Sequence, residues 1–213
     1  MDDTFAITTG ISLLDKGGPV MLILFGLSIF ALAIIFVKTY QFIASQLGRT
    51  EFIDKAIISL QENQEQTAIQ ILTNSRHPVA RVMYATLSMI SSKTLTEEDR
   101  ETEISRIGSA EIRNLESYLR GLEVIANLSP LLGLLGTVLG MIKAFARLES
   151  AGTKVDPTIL AGGIWEALLT TAFGLSVAIP ALAAFYILEG RVENVRTAMK
   201  DAVTRVLNSL PKN

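Results

Sequence analysis

The residues that could do chemistry gather in two stretches. Gly162-Gly163-Ile164-Trp165-Glu166 opens an apolar run that also carries Thr170, Thr171, Gly174, Ser176 and Pro180, and Glu166 is its only charged residue. A carboxylate at membrane depth costs several kcal/mol unless it meets a partner or water, which marks Glu166 as a functional candidate. Its place beside Trp165, a usual interfacial belt residue, equally allows a role as an anchor. Thr170 lies one turn from Glu166 on the same helical face, and Thr171 is turned by about 100° from it. Their hydroxyls can line a polar path or simply bond their own backbone one turn back. Pro180 can kink the span.

The second stretch, Asn127-Leu128-Ser129-Pro130-Leu131-Leu132-Gly133-Leu134-Leu135-Gly136-Thr137-Val138-Leu139-Gly140, places Gly136 and Gly140 as one small-xxx-small pair and Gly133 and Thr137 as another. Such faces let helices approach closely, so Thr137 belongs on a packed interface or on a pore wall. Gly133, Gly136, Gly140, Gly174, Pro130 and Pro180 are the expected packing positions. His77, the only histidine, precedes a proline in a polar stretch without a second ligand type and is read as a solvated turn residue, not a metal ligand. Cysteine is absent, which excludes disulfides and thiolate chemistry. No phosphate loop, dinucleotide fingerprint or nucleophile–base pair occurs, so an enzyme, a cofactor or a metal centre has no support.

Behind these residues stand the elements that must hold them. The chain has 213 residues, 49% of them hydrophobic and 19% charged, a net charge of −2 and a mean hydropathy of +0.41. Apolarity and charge coexist because they are segregated. Val20–Val37, Val124–Ile142 and Ala167–Leu188 are uncharged and each long enough to cross a hydrocarbon core as a helix. With helical flanks, the spans are expected at about 20–37, 124–145 and 164–188. The N-terminus lacks a basic region ahead of the first run and a small-residue cleavage site after it, so that run is expected to stay as an anchor. Lysine and arginine cluster at Lys38, Arg49 and Lys55, at Arg106, Arg113 and Arg120, and along Arg191–Lys212. The N-terminus is therefore expected outside, with 38–123 and 189–213 in the cytoplasm. Near-neutral charge gives no reason to expect nucleic acid.

The parts outside the spans read as helical. Thr4–Leu14 has the pattern of a short helix on the outer interface, or equally of a frayed terminus. Lys16-Gly17-Gly18-Pro19 breaks the chain before the first span. Phe52–Leu72 is one helical pattern that His77-Pro78 interrupts, and Val79–Ile90 is another. Thr94 or Thr96, ahead of Glu97, Glu98 and Asp99, reads as an N-cap. From there Ile104, Ile107, Ile112, Leu115, Leu119 and Leu122 form a stripe that no glycine or proline stops between Ser109 and Gly121, which predicts one long helix running on into the second span. In the tail, Val192, Val195, Met199, Val203, Val206 and Leu210 form a coiled-coil-like seam that loop helices or a neighbouring subunit should cover. The expectation is one all-α membrane domain over 1–213, with three transmembrane helices and long cytoplasmic helical extensions.

Two motifs then resemble those of the ExbB/TolQ/MotA family: Leu131–Ile142, reading L-L-G-L-L-G-T-V-L-G-M-I, and Gly163–Leu175, reading G-I-W-E-A-L-L-T-T-A-F-G-L, followed by Ala178-Ile179-Pro180-Ala181. Three spans place the chain with the ExbB/TolQ branch, although Gly162-Gly163-Ile164-Trp165 stands where many members have A-P-G-I-A. The resemblance implies a homopentamer in the bacterial inner membrane whose second and third spans line a pore. It also implies two copies of an ExbD/TolR-like single-span protein supplying a membrane aspartate, and a TonB- or TolA-like transducer. H+ or Na+ would be the ion, with Thr137 and Thr171 facing the aspartate and Glu166 near the pore entrance; Thr170, one turn from Glu166, is a further pore-lining candidate. A non-conducting helical scaffold is the alternative. A secondary transporter would show paired repeats and interrupted helices, which are absent.

Overall fold

The computed structural model describes residues 18–92, 96–150 and 157–209. Among them are seven helices and no strand: α1 Gly18–Ala44, α2 Glu51–Gln61, α3 Glu65–Thr73, α4 Pro78–Ser92, α5 Glu97–Glu116, α6 Leu119–Ser150 and α7 Pro157–Ser209. Three apolar stretches, carried by α1, α6 and α7, are long and apolar enough to cross a membrane. The protein is thus an all-α chain with three candidate spans. The helices outrun the apolar runs: α1 passes Val37 to Ala44, and α7 passes Leu188 to Ser209. Thr4–Leu14, Thr94 and Leu210 lie outside the described residues.

Among the described residues, one compact unit comprises 18–35, 120–150 and 157–185. Gly18 enters α1 at a φ of 63°, a left-handed value that glycine takes without a steric cost. Along α1, Val20, Met21, Leu24, Ala31 and Ile34 are buried at helical spacing, while Leu22, Ile23, Phe25, Ile29, Phe30 and Leu32 are exposed. A span exposed this widely suits a lipid environment, where large apolar side chains meet no penalty. Helix α6 from Arg120 and α7 up to Phe185, both rich in glycine, form the rest of this unit.

The second unit comprises, among the described residues, 36–92, 96–119 and 186–209 and is built around a helical apolar core. Ile53, Ala56, Ile57, Leu60, Leu72, Val79, Val82, Met83 and Leu87 are buried in it, with Ile104, Ile112 and Leu115 from α5. The tail seam is covered by this chain's own helices. Val192, Val195, Met199 and Val206 are at most 5% exposed, Gly108 of α5 leaves room for Met199 Sδ, and Arg196 and Arg205 reach Glu116 and Asp54. Thr96 is the N-cap of α5, its hydroxyl oxygen accepting the Asp99 N–H at 3.2 Å.

Three expectations change here. The pattern over Phe52–Leu72 is two helices, because Asn63 turns into the left-handed region at φ 57° and ends the first. Asparagine accepts that conformation more readily than most residues. The stripe through Ile104–Leu122 is also not one helix: α5 ends at Glu116, and Tyr118 takes φ 65° before α6 begins. His77, expected in solvent, is 1% exposed. Its ring lies 5.3 Å from that of Phe52, and Nδ1 accepts the Val79 N–H at 3.1 Å, capping α4. Burial lowers its pKa, the Leu47 carbonyl opposes that, and Arg81 adds to the lowering. An acceptor Nδ1 fixes the neutral tautomer with the proton on Nε2.

Candidate ion-path site

Helices α6 and α7 meet along a seam of small residues whose numbers rise on one helix as they fall on the other, so the pair is antiparallel. A Cβ on Gly133 would stand 3.0 Å from Thr171 Cα and 3.1 Å from the Thr170 carbonyl. On Gly140 it would stand 3.0 Å from Ala167 Cβ, and on Gly174, 2.6 Å from the Ser129 carbonyl. On Gly136 it would strike Thr170 Oγ1, and on Gly163, Ala144 Cβ. Backbone thus lies almost on backbone from Ser129–Gly174 to Ala144–Gly163. In lipid such closeness holds helices together through dispersion contacts and interhelical hydrogen bonds, since burial from lipid gains nothing.

The hydroxyls on this pair have definite partners. Thr170 is 2% exposed; its Oγ1 donates to the Ala167 carbonyl at 2.7 Å and lies 3.4 Å from that of Gly133. Thr171, half-buried, donates across the seam to the Gly133 carbonyl at 3.0 Å. Thr137, one turn on from Gly133, donates to the Leu134 carbonyl at 2.6 Å. Thr137 is half-buried and lines an open groove of about 640 Å³ with Val138, Met141, Ile142, Phe145, Ala146 and Glu149. Each of these threonines therefore stays with its hydroxyl proton engaged and its lone pairs free.

The sequence-predicted residues separate accordingly. Gly133, Gly136, Gly140 and Gly174 sit on the seam. Thr171 bridges it and keeps part of its surface open, and Thr137 faces the groove. Thr170, a pore-lining candidate by sequence, is instead enclosed by the chain's own helices: its methyl and hydroxyl fill the space that Gly136 leaves. Glu166 is half-buried next to Trp165, which is 65% exposed. Pro130 lies within α6 and is half-buried, whereas Pro180, within α7, is exposed and off the seam. Ala144, Gly163 and Ala167 complete the seam and were missed in sequence, although their spacing from Gly140 and Thr171 carried the same small-residue signal. The bond from Thr171 to Gly133 had no sequence signal at all. Among the described residues no three His, Asp or Glu side chains converge on a point.

The MotA/TolQ/ExbB proton channel family matches residues 74–201, which include α5, α6 and every seam residue. The chain is 34% identical over 176 residues to the putative biopolymer transport protein ExbB-like 1 of Synechocystis, covering 81% of this chain and 68% of that one. It is 29% identical over 167 residues to ExbB-like 3 of the same organism, 78% of each. It is 42% identical over 85 residues to the Tol-Pal system protein TolQ of Haemophilus influenzae, 40% of this chain and 37% of that protein. A family match spanning more than half of the chain, centred on the two helices that carry the threonines and the glycine seam, leads to one conclusion: the chain belongs to the MotA/TolQ/ExbB proton channel family.

Proposed function

We propose that this chain is the channel, or stator, subunit of an inner-membrane ion-driven motor that turns proton motive force into mechanical work on a periplasm-spanning partner. The observation that carries this reading is the α6–α7 pair. It is locked by a glycine seam, it presents the part-open hydroxyls of Thr171 and Thr137, and its sequence holds no charged residue over 124–142 or 167–188. A wall of this kind can flank an ion carrier but does not contain one. The carrier is a carboxylate from a partner, an ExbD/TolR-like single-span protein present in two copies within a homopentamer. Moving one charge through 100 mV releases about 2.3 kcal/mol, enough to drive stepwise displacement of a carboxyl group that is neutral while it passes the wall. H+ is the proposed ion, with Na+ the alternative.

Similarity to proteins named for biopolymer transport favours a TonB-coupled, ExbB-like output over a TolA-coupled one. The basic residues after the first run and in the tail favour an outward N-terminus and a cytoplasmic C-terminus. In this reading Thr137 and Thr171 line the path, Glu166 contributes polarity near its entrance, and Thr170 holds the wall together. The test is Thr171→Val against Thr171→Ser in the assembled complex. Valine should abolish ion-driven work with assembly intact on native mass spectrometry, and serine should restore most of it. Full activity in the valine variant would overturn the assignment of Thr171, whereas absence of any ion-driven work in the unmodified complex would point to the scaffold alternative.

A further inference from the structure

Among the largest fully buried side chains is a lysine. Lys38, just past the first apolar run, is 1% exposed. Its ammonium lies 2.8 Å from Gln41 Oε1, 2.9 Å from the Leu115 carbonyl, 3.3 Å from the Asn114 carbonyl and 3.0 Å from Ser117 Oγ. The rings of Phe42 and Tyr118 stand 5.9 and 6.0 Å away. All of these partners are neutral. They supply the acceptors that three N–H donors need, and the carbonyls belong to the C-terminal end of α5, where a positive charge is favoured.

Which carbonyls Lys38 holds is the telling point. The last backbone bond of α5 runs from the Ser117 N–H to the Arg113 carbonyl at 3.0 Å. In an uninterrupted helix the next two carbonyls, Asn114 and Leu115, would take the N–H groups of Tyr118 and Leu119. Those two are the carbonyls that the ammonium occupies. Ser117 instead leaves the helix with ψ 138°, and Tyr118 adopts φ 65°, a region that bulky residues seldom enter. Nothing between Ser109 and Gly121 supplies the glycine or proline that usually ends a helix. Local sequence therefore favours continuity, and a group 76 to 79 residues away opposes it.

We propose that Lys38 is a positioning residue whose ammonium, by capping α5, holds the break at Ser117–Tyr118 and so sets where α6 begins. Because each residue of helix turns the chain by about 100°, two non-helical residues reset the face that α6 presents, including Gly133 and Thr137. The role rests on the cap geometry and is independent of the ion-path reading, which enters only through a second readout.

The test is amide hydrogen exchange at Leu119–Leu122, measured on the assembled full-length protein in nanodiscs, with ion flux recorded in parallel. In the broken form these first-turn N–H groups have no helical partner. Lys38→Met should slow their exchange tenfold or more as the two helices join, and should lower flux several-fold. Adding Tyr118→Gly should return both toward wild type, because glycine ends a helix there without help. Assembled Lys38→Met protein with unchanged or faster exchange at these amides would overturn the proposal, as would the failure of Tyr118→Gly to reverse the slowing. Should the methionine variant fail to assemble, Lys38→Gln, too short to hold both carbonyls, decides the matter: slower exchange supports the cap, and unchanged or faster exchange refutes it. Slower exchange with normal flux would keep the cap and count instead against the ion-path reading.

Discussion

At the scale of single residues, the chain separates glycines that are needed from glycines that are merely tolerated. A Cβ on Gly136 would run into Thr170 Oγ1, whereas one on Gly26 or Gly190 would meet nothing within 4 Å. Gly136→Ala should therefore weaken the α6–α7 pair by about 1–3 kcal/mol, the usual cost of overpacking a tight contact. Gly26→Ala should be neutral. Thr170→Ala in the Gly136→Ala background should recover much of the loss, since it vacates the space the new methyl needs, and thermal unfolding in detergent measures all three. His77 carries a second prediction. Its folded-state pKa is lowered, so above the ordinary histidine value of about 6.5 both folded and unfolded forms are neutral and the α4 cap contributes fully. As pH falls below that value the unfolded chain binds a proton that the folded one resists. Stability should then drop by up to about 1.4 kcal/mol per pH unit until the folded value is reached. His77→Asn, which keeps a capping acceptor that does not titrate, should flatten this dependence in denaturant titrations between pH 7 and 5.

Elements show where the sequence was legible and where it was not. The three apolar runs, the cap at Thr96 and the tail seam were readable because each is a local or periodic signal, and the helices follow them. Two helix breaks were not, for different reasons. Asn63 ends α2 by a local preference that the polar run Gln61–Gln66 hides, since nothing apolar changes phase there. The break at Ser117–Tyr118 has no local cause; its partner, Lys38, is remote in sequence. His77 likewise read as a solvated turn because polar neighbours flank it, while Phe52, whose ring packs against it, comes from elsewhere in the chain. At the wall, spacing revealed the glycines, and the carbonyl that receives the Thr171 hydroxyl had to await the pairing of α6 with α7. The element-scale prediction follows from Asn63. Asn63→Gly should keep or slightly raise stability, since glycine enters the left-handed region freely, and Asn63→Val should lower it by about 1–2 kcal/mol, read by urea unfolding.

At the scale of the whole molecule, the proposed motor divides its labour between chains. The three apolar runs hold polar hydroxyls but no carboxylate, and Glu166, half-buried beside the exposed Trp165, directly precedes the third run. Threonine hydroxyls whose protons are engaged by carbonyls can accept a hydrogen bond, yet they do not ionise near neutral pH and cannot shuttle a charge unaided. The chain alone in vesicles should therefore carry no more protons under an imposed potential than empty vesicles do. Adding a single-span partner with a membrane carboxylate should open a flux that Thr171→Val removes. Proton flux through the chain alone would reverse the assignment of roles, and Glu166→Gln would then locate it: loss of that flux makes Glu166 the carrier. If the glutamine variant leaks as before, the path bypasses the acid at the mouth and a partner carboxylate is not required. Either result would turn the present division of labour into a single-chain mechanism, so the vesicle experiment on the chain alone tests the proposed motor at its most exposed point.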